Sequence, residues 1–102
     1  MRLNERIEIM IQGIEYKVTT PKGKDFFLSF LHKDKDKLVV DGVLNEDLLD
    51  ILVHRLEDQN SKKSDRFNNK TLFFLREAKR LLEERRFFYR NFKLKQKLLN
   101  HE

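Results

Sequence analysis

A 45-residue stretch from Leu48 to Phe92 constrains this chain most, because it reads as two helices of unequal length joined by a polar link. Leu48, Leu49, Ile51, Leu52, Val53 and Leu56 recur at helical spacing. Asn45 precedes them as an N-cap, with Glu46 and Asp47 in the first turn, where free N–H groups favour acidic side chains. The first helix is predicted over 46–60 and the second over 69–97, with Asn68 or Asn69 as its cap and the link running from Ser61 to Lys70. At about 1.5 Å per residue these helices are roughly 22 Å and 43 Å long. The shorter helix therefore covers only the first half of the longer one. The other half still carries Phe87, Phe88, Tyr89, Phe92 and Leu94, which require a cover from the N-terminal segment or from a second subunit.

The long helix is apolar on several sides. Thr71, Leu75, Ala78, Leu82, Arg85, Tyr89, Phe92, Gln96 and Leu99 step by fours and threes, a heptad-like seam that turns polar at Arg85 and Gln96. Phe74, Leu81 and Phe88 form a second column, and Phe73 and Phe87 lie on a third face. A helix apolar over more than one partner's width is explained most economically by assembly.

The N-terminal part has a different period. Ile7, Ile9 and Ile11, then Ile14, Tyr16 and Val18, alternate on either side of Gln12-Gly13, which is a β-hairpin signal. After Pro21-Lys22-Gly23-Lys24, the run Phe26 to Leu31 fits either a short helix capped by Asp25 or a strand. Asp34 to Lys37 is a charged turn, and Leu38-Val39-Val40 before Asp41-Gly42 reads as a short strand. The fold class expected is α+β: a small N-terminal β-hairpin element over 1–44, then an antiparallel helical hairpin over 45–102. The two parts are expected to make one compact domain that oligomerises through its long C-terminal helix.

At 102 residues one domain with a modest core is expected. With 39% hydrophobic residues and nine Phe, the chain reads as globular rather than disordered. It holds no cysteine, which excludes a disulfide framework and a thiolate metal site. The N-terminus leads into no apolar run of signal-peptide or membrane-span length, so a cytoplasmic location and no membrane partner are expected. The net charge of +5 is one-sided, with Arg85, Arg86, Arg90, Lys93, Lys95 and Lys97 falling in an acid-free run from Arg85 to His101. A basic end interleaved with aromatics points to a phosphate-bearing partner. A solvated helix end, where cations suit the macrodipole, accounts for the charge equally well.

Catalytic constellations are thin. His32, His54 and His101 are scattered and read as lacking a carboxylate or second His at ligand spacing. Glu83-Glu84 and Glu46-Asp47 are adjacent on helices, so their side chains diverge, and Ser29, Ser61 and Ser64 have no nearby base. The three glycines are isolated and form no phosphate-cradling loop. Neither catalysis nor a cofactor or metal is expected. Binding has better candidates. Arg66, Asn68, Asn69 and Lys70, with Lys62 and Lys63, surround the start of the long helix, where backbone N–H groups favour an anion. Farther along, Arg85, Arg86, Tyr89 and Arg90 lie within about a turn of one another, and guanidinium plus aromatic faces suit both a phosphate and a stacked base.

The stretches DGVLNEDLLDILVHRLEDQNS and DRFNNKTLFFLREAKRLLEER resemble a helical hairpin shared by small bacteriophage anti-CBASS and Thoeris anti-defence proteins. Arg66-Phe67-Asn68 matches the Arg-x-Asn element of that pattern, and Leu75, Glu77, Ala78, Leu82 and Arg85 match its second element. The resemblance covers about residues 41–90. It implies a non-enzymatic nucleotide sponge in the host bacterial cytoplasm. Such a protein is a homo-oligomer with pockets between subunits, sequestering a cyclic nucleotide or cyclic ADP-ribose type immune signal without cleaving it. Arg66, Asn68 and Arg85 are the residues this implies at the ligand. Two alternatives stand beside it: a basic nucleic-acid-binding accessory protein, and a direct protein–protein inhibitor of a host defence factor.

Overall fold

The computed structural model describes residues 1–99; His101, one of the three scattered histidines, lies outside the described residues. A small antiparallel β region is followed by two helices, an α+β chain that divides into two units, Met1–Asn45 and Glu46–Glu102. No helix among the described residues is long and apolar enough to cross a membrane.

In the first unit, β1 (Ile7–Ile11), β2 (Glu15–Thr19) and β3 (Asp25–Ser29) form a three-stranded antiparallel sheet in chain order. The expected hairpin is present, and Gly13 turns it with φ of +71°, a conformation that costs a residue without Cβ little. Ile7 pairs with Val18 and Ile9 with Tyr16, so the alternating apolar residues of the two strands share one face. The register slips between Ile9 and Ile11, a bulge at Met10 that leaves Ile11 half exposed. Of the two conformations open to the Phe26 run, the strand forms and the Asp25-capped helix does not. Tyr16 pairs with Leu28 and Val18 with Phe26, so ladder bonds to β2 outweigh any local helical preference. Asp25 accepts a hydrogen bond from the Thr19 hydroxyl at 2.7 Å instead of capping a helix. On the other face Lys17 lies 3.2 Å from Glu8 and, by hydrogen bond and charge, holds its carboxyl below the usual carboxylate range.

A second two-stranded piece, β4 (His32–Lys33) with β5 (Val39–Val40), is closed by Asp34, which accepts from the Asp36 and Leu38 amides at 3.0 Å each. The chain then returns past β3: Val43 N–H donates to Ser29 O at 2.9 Å, and Leu31 N–H donates to Val43 O at 3.0 Å. This crossing is why residue 42 is Gly. A Cβ there would meet the Phe30 carbonyl carbon and sit 2.7 Å from the Ser29 carbonyl oxygen.

In the second unit α1 (Asn45–Lys62) has 18 residues and α2 (Arg66–Leu99) has 34. Both are longer than expected, about 27 Å and 51 Å at the helical rise. The ten-residue link shrinks to Lys63-Ser64-Asp65. The cap of α2 is Asp65, not Asn68 or Asn69. Its carboxylate accepts from the amides of Phe67 at 2.6 Å and Asn68 at 3.2 Å. Asn60 buckles the turn, accepting from the Asp65 amide at 2.8 Å and donating to Asn69 Oδ1 at 2.6 Å. Farther along, Glu57 meets Arg76 at 3.3 Å, Asp50 meets Lys79, and Glu46 meets Arg86 at 2.9 Å. Numbers rise along α1 as they fall along α2, so the helices run antiparallel where these side chains meet. Leu48, Leu49, Val53 and Leu56 on α1, and Leu75, Ala78 and Leu82 on α2, are half-buried. Leu72, at 4% exposure, is the one buried side chain among the described residues.

Two substitutions test this account. Leu72→Ala is expected to cost about 2–4 kcal/mol by loss of buried methylenes, read as a lower urea midpoint by circular dichroism. Gly42→Ala is expected to disrupt the Ser29–Val43 crossing, because backbone atoms cannot yield as a side-chain tip can. Amide exchange should quicken at Leu31 and Val43 and stay unchanged at Leu72.

Candidate functional site

The candidate residues fall in two groups on one helix. Arg66, Asn68, Asn69 and Lys70 occupy the first turn and a half of α2, while Arg85, Arg86, Tyr89 and Arg90 lie more than five turns later. From Arg66 to Arg85 is about 28 Å along the axis, so one protomer does not bring the two groups into one pocket.

The first group is largely occupied. The start of α2 offers its amides to Asp65, whose own carboxylate already takes the position an external phosphate would want. Asn69 is held by Asn60 and belongs to the turn. Arg66 lays its guanidinium over the Phe67 ring at 4.9 Å to the centroid. Lys70 is exposed. At the expected helix-terminal anion site the Phe67 and Asn68 amides are thus taken, because the cap lies at Asp65 and not at Asn68 or Asn69.

The second group divides. Arg86 is drawn to Glu46, which is mostly covered, and serves the helix pairing. Arg85 lies over the Tyr89 ring at 5.9 Å, one turn along the same line. Tyr89 meets Phe88 edge-on at 5.5 Å, and Phe88 stacks with Phe92 at 6.5 Å with rings 12° apart. Arg85, Phe88, Tyr89 and Phe92 thus form one exposed patch of a guanidinium beside three rings, with Tyr89 53% exposed. Sequence reasoning singled out Arg85 and Tyr89 and treated Phe88 and Phe92 as surface awaiting a cover. Phe92 stands three residues past Tyr89 and four past Phe88, and that spacing carried the signal. Around the helix from this patch, Arg86, Arg90, Lys93 and Lys97 fall on a single line at steps of four, three and four.

Elsewhere, Asp50, His54 and Asp58 stand at successive i,i+4 positions on α1, so His54 does have carboxylates at ligand spacing. Both are engaged by lysines, Asp50 by Lys79 and Asp58 by Lys62 at 3.3 Å. No group of three His, Cys, Asp or Glu that could hold a metal ion occurs among the described residues. The adjacent acids go separate ways: Glu83 to Lys79, Glu84 to Arg80 at 2.6 Å, and Glu46 to Arg86. The pKa values of Lys79 and Arg80 are both raised, first by the hydrogen bonds they donate to Asp50 and Glu77 respectively. His32 points Nδ1 at the Phe30 carbonyl, 2.9 Å away, a bond within its own β region.

No protein-family model matches the sequence, and no curated protein matches it either.

The capping assignment carries its own test. Asp65→Ala is expected to lose about 1 kcal/mol of helical stability, whereas Asn68→Ala leaves the midpoint nearly unchanged. Thermal melts at 222 nm of both variants check the order.

Proposed function

We propose that the protein is a stoichiometric binder of an anionic, base-bearing ligand: a cyclic nucleotide or cyclic ADP-ribose type signal, sequestered without cleavage as a phage-type anti-defence protein does in the host cytoplasm. The observation that carries this reading is the exposed Arg85, Phe88, Tyr89 and Phe92 patch. A guanidinium grips phosphate by parallel hydrogen bonds, and aromatic faces stack a base in any orientation. Arg90 stands one position past Tyr89 as a second cation, and Arg66 with Asn68 is the other element implied by the resemblance. In this reading the antiparallel hairpin of α1 and α2 is the scaffold, and assembly through α2 covers part of the aromatic surface left exposed. Sequestration needs a slow off-rate and a protein concentration matching that of the signal; it needs no proton transfer.

The purified protein is incubated with cyclic dinucleotides, cyclic trinucleotides and cyclic ADP-ribose isomers, then removed and heat-denatured. The expected outcome is depletion of one compound and its intact recovery from the denatured protein. Arg85→Glu should abolish depletion while the far-ultraviolet spectrum stays helical. A new product in the supernatant would make the protein an enzyme and overturn the reading.

The line of Arg86, Arg90, Lys93 and Lys97 favours a second reading, binding to a nucleic-acid backbone. It spans about 16 Å of helix, and each phosphate it neutralised would steepen the salt dependence of binding. Lys93→Glu with Lys97→Glu removes half of this line and leaves the aromatic patch whole, so the two readings separate in one variant.

A further inference from the structure

On the side of α2 turned away from α1 runs a column of large apolar residues at seven-residue steps, Phe67, Phe74, Leu81 and Phe88, exposed by 65, 66, 56 and 64%. Of the side chains that meet α1, Leu72, Lys79 and Arg86 lie on the opposite side of the helix, and Leu75, Ala78 and Leu82 lie to one flank of the column. No described residue of α1 covers the column. A Phe carries roughly 150–250 Å², so these four leave about 400–500 Å² of apolar surface over some 32 Å of helix. That is about half of the ~800 Å² each partner contributes to a standard interface, before any flanking residue is counted.

We propose that a second copy of this chain covers it, with the two α2 helices antiparallel and in one register: Phe67 opposite Phe88, and Phe74 opposite Leu81. The column is self-complementary about its midpoint, as a two-fold interface requires, since each residue meets the other member of its pair twice. Charge selects the direction. A parallel pair would set Arg85, Arg86, Arg90, Lys93, Lys95 and Lys97 beside their own copies with no acid among them. The antiparallel pair separates these runs and brings Lys70 of each copy level with Glu84 of the other, on the same edge of the column. On the opposite edge Arg85, Tyr89 and Phe92 stay outside the pairing, so in the dimer Phe88 packs between the helices and these three carry the proposed binding surface. This last step rests on the proposed function; the pairing itself does not.

The absence of cysteine makes the register directly readable. Lys70→Cys and Glu84→Cys variants are prepared separately, one with a mass tag, and oxidised alone and mixed. The expected result is a disulfide-linked heterodimer from the mixture and almost none from either variant alone. Wild type should run as a dimer or a multiple of it by light scattering, and Phe74→Glu with Leu81→Glu should reduce it to monomer. Cross-linking of either variant with itself would mean parallel pairing and overturn the proposal. A wild-type monomer without cross-links also overturns it, and flotation of that monomer with phosphatidylglycerol vesicles would assign the column to a membrane surface. Cross-links as expected, without depletion of any nucleotide, would leave the pairing standing and remove the binding reading.

Discussion

The ion pair between Glu46 and Arg86, 2.9 Å long, is the farthest point along α2 at which α1 supplies a polar partner among the described residues. Because α1 begins at Asn45, nothing of it remains to face the residues beyond, and α2 runs on from Phe87 to Leu99. That extension is about 20 Å of helix, with Phe87, Phe88, Tyr89, Phe92 and Leu94 all exposed. An uncovered Phe forgoes about 3 kcal/mol of burial at 25 cal/mol per Å². Against a native stability of a few kcal/mol, several such residues are a large unsatisfied term, and it accumulates on one helix.

The proximal part of α2 shows what a partner does there. Leu72 is buried and Leu75, Ala78 and Leu82 half-buried where α1 lies, while Phe73, Phe74 and Leu81 on other faces stay exposed. Three ion pairs line the α1 contact, and all three have exposed members, so each adds only modestly to the apolar contact they border. The same contact bears on the proposed likeness to phage anti-defence hairpins. Leu75, Ala78 and Leu82, three of the five residues matching its second element, sit where α1 packs. The shared spacing therefore describes how one helix lies on another, and only Arg85 of that element reaches the aromatic patch.

Both helices and the first hairpin were legible because each has an unbroken period: four and three along 48–56 and 71–99, two along 7–11 and 14–18. The start of α2 was not, since Asp65, Asn68 and Asn69 are all good caps and the choice falls to Asn60, which binds the Asp65 amide across the turn. Phe26-Phe27-Leu28 has no period of its own, and pairing with β2 decides it. At the site, local spacing showed Arg85 over Tyr89. It could not show that Arg86 is drawn to a carboxylate 40 residues earlier, or that Asn69 is held by a side chain nine residues back. Contacts made after folding determine which polar candidates stay available.

The Asp65 cap also shapes what kind of anion the proposed site would prefer. A helix N-terminus with open amides binds any phosphate or sulfate, because backbone donors and the dipole recognise charge alone. Here those donors are closed by the protein's own carboxylate, so recognition moves to side chains along the helix. Arg85 supplies charge, but exposed to solvent it gains little from charge alone. The gain comes from the neighbouring rings, which add roughly 1–3 kcal/mol for each stacked base and nothing for a bare phosphate. A surface built this way discriminates by the base attached to the anion. Two such bases, each stacked on an aromatic patch and joined through phosphates, would bind far more tightly than either alone.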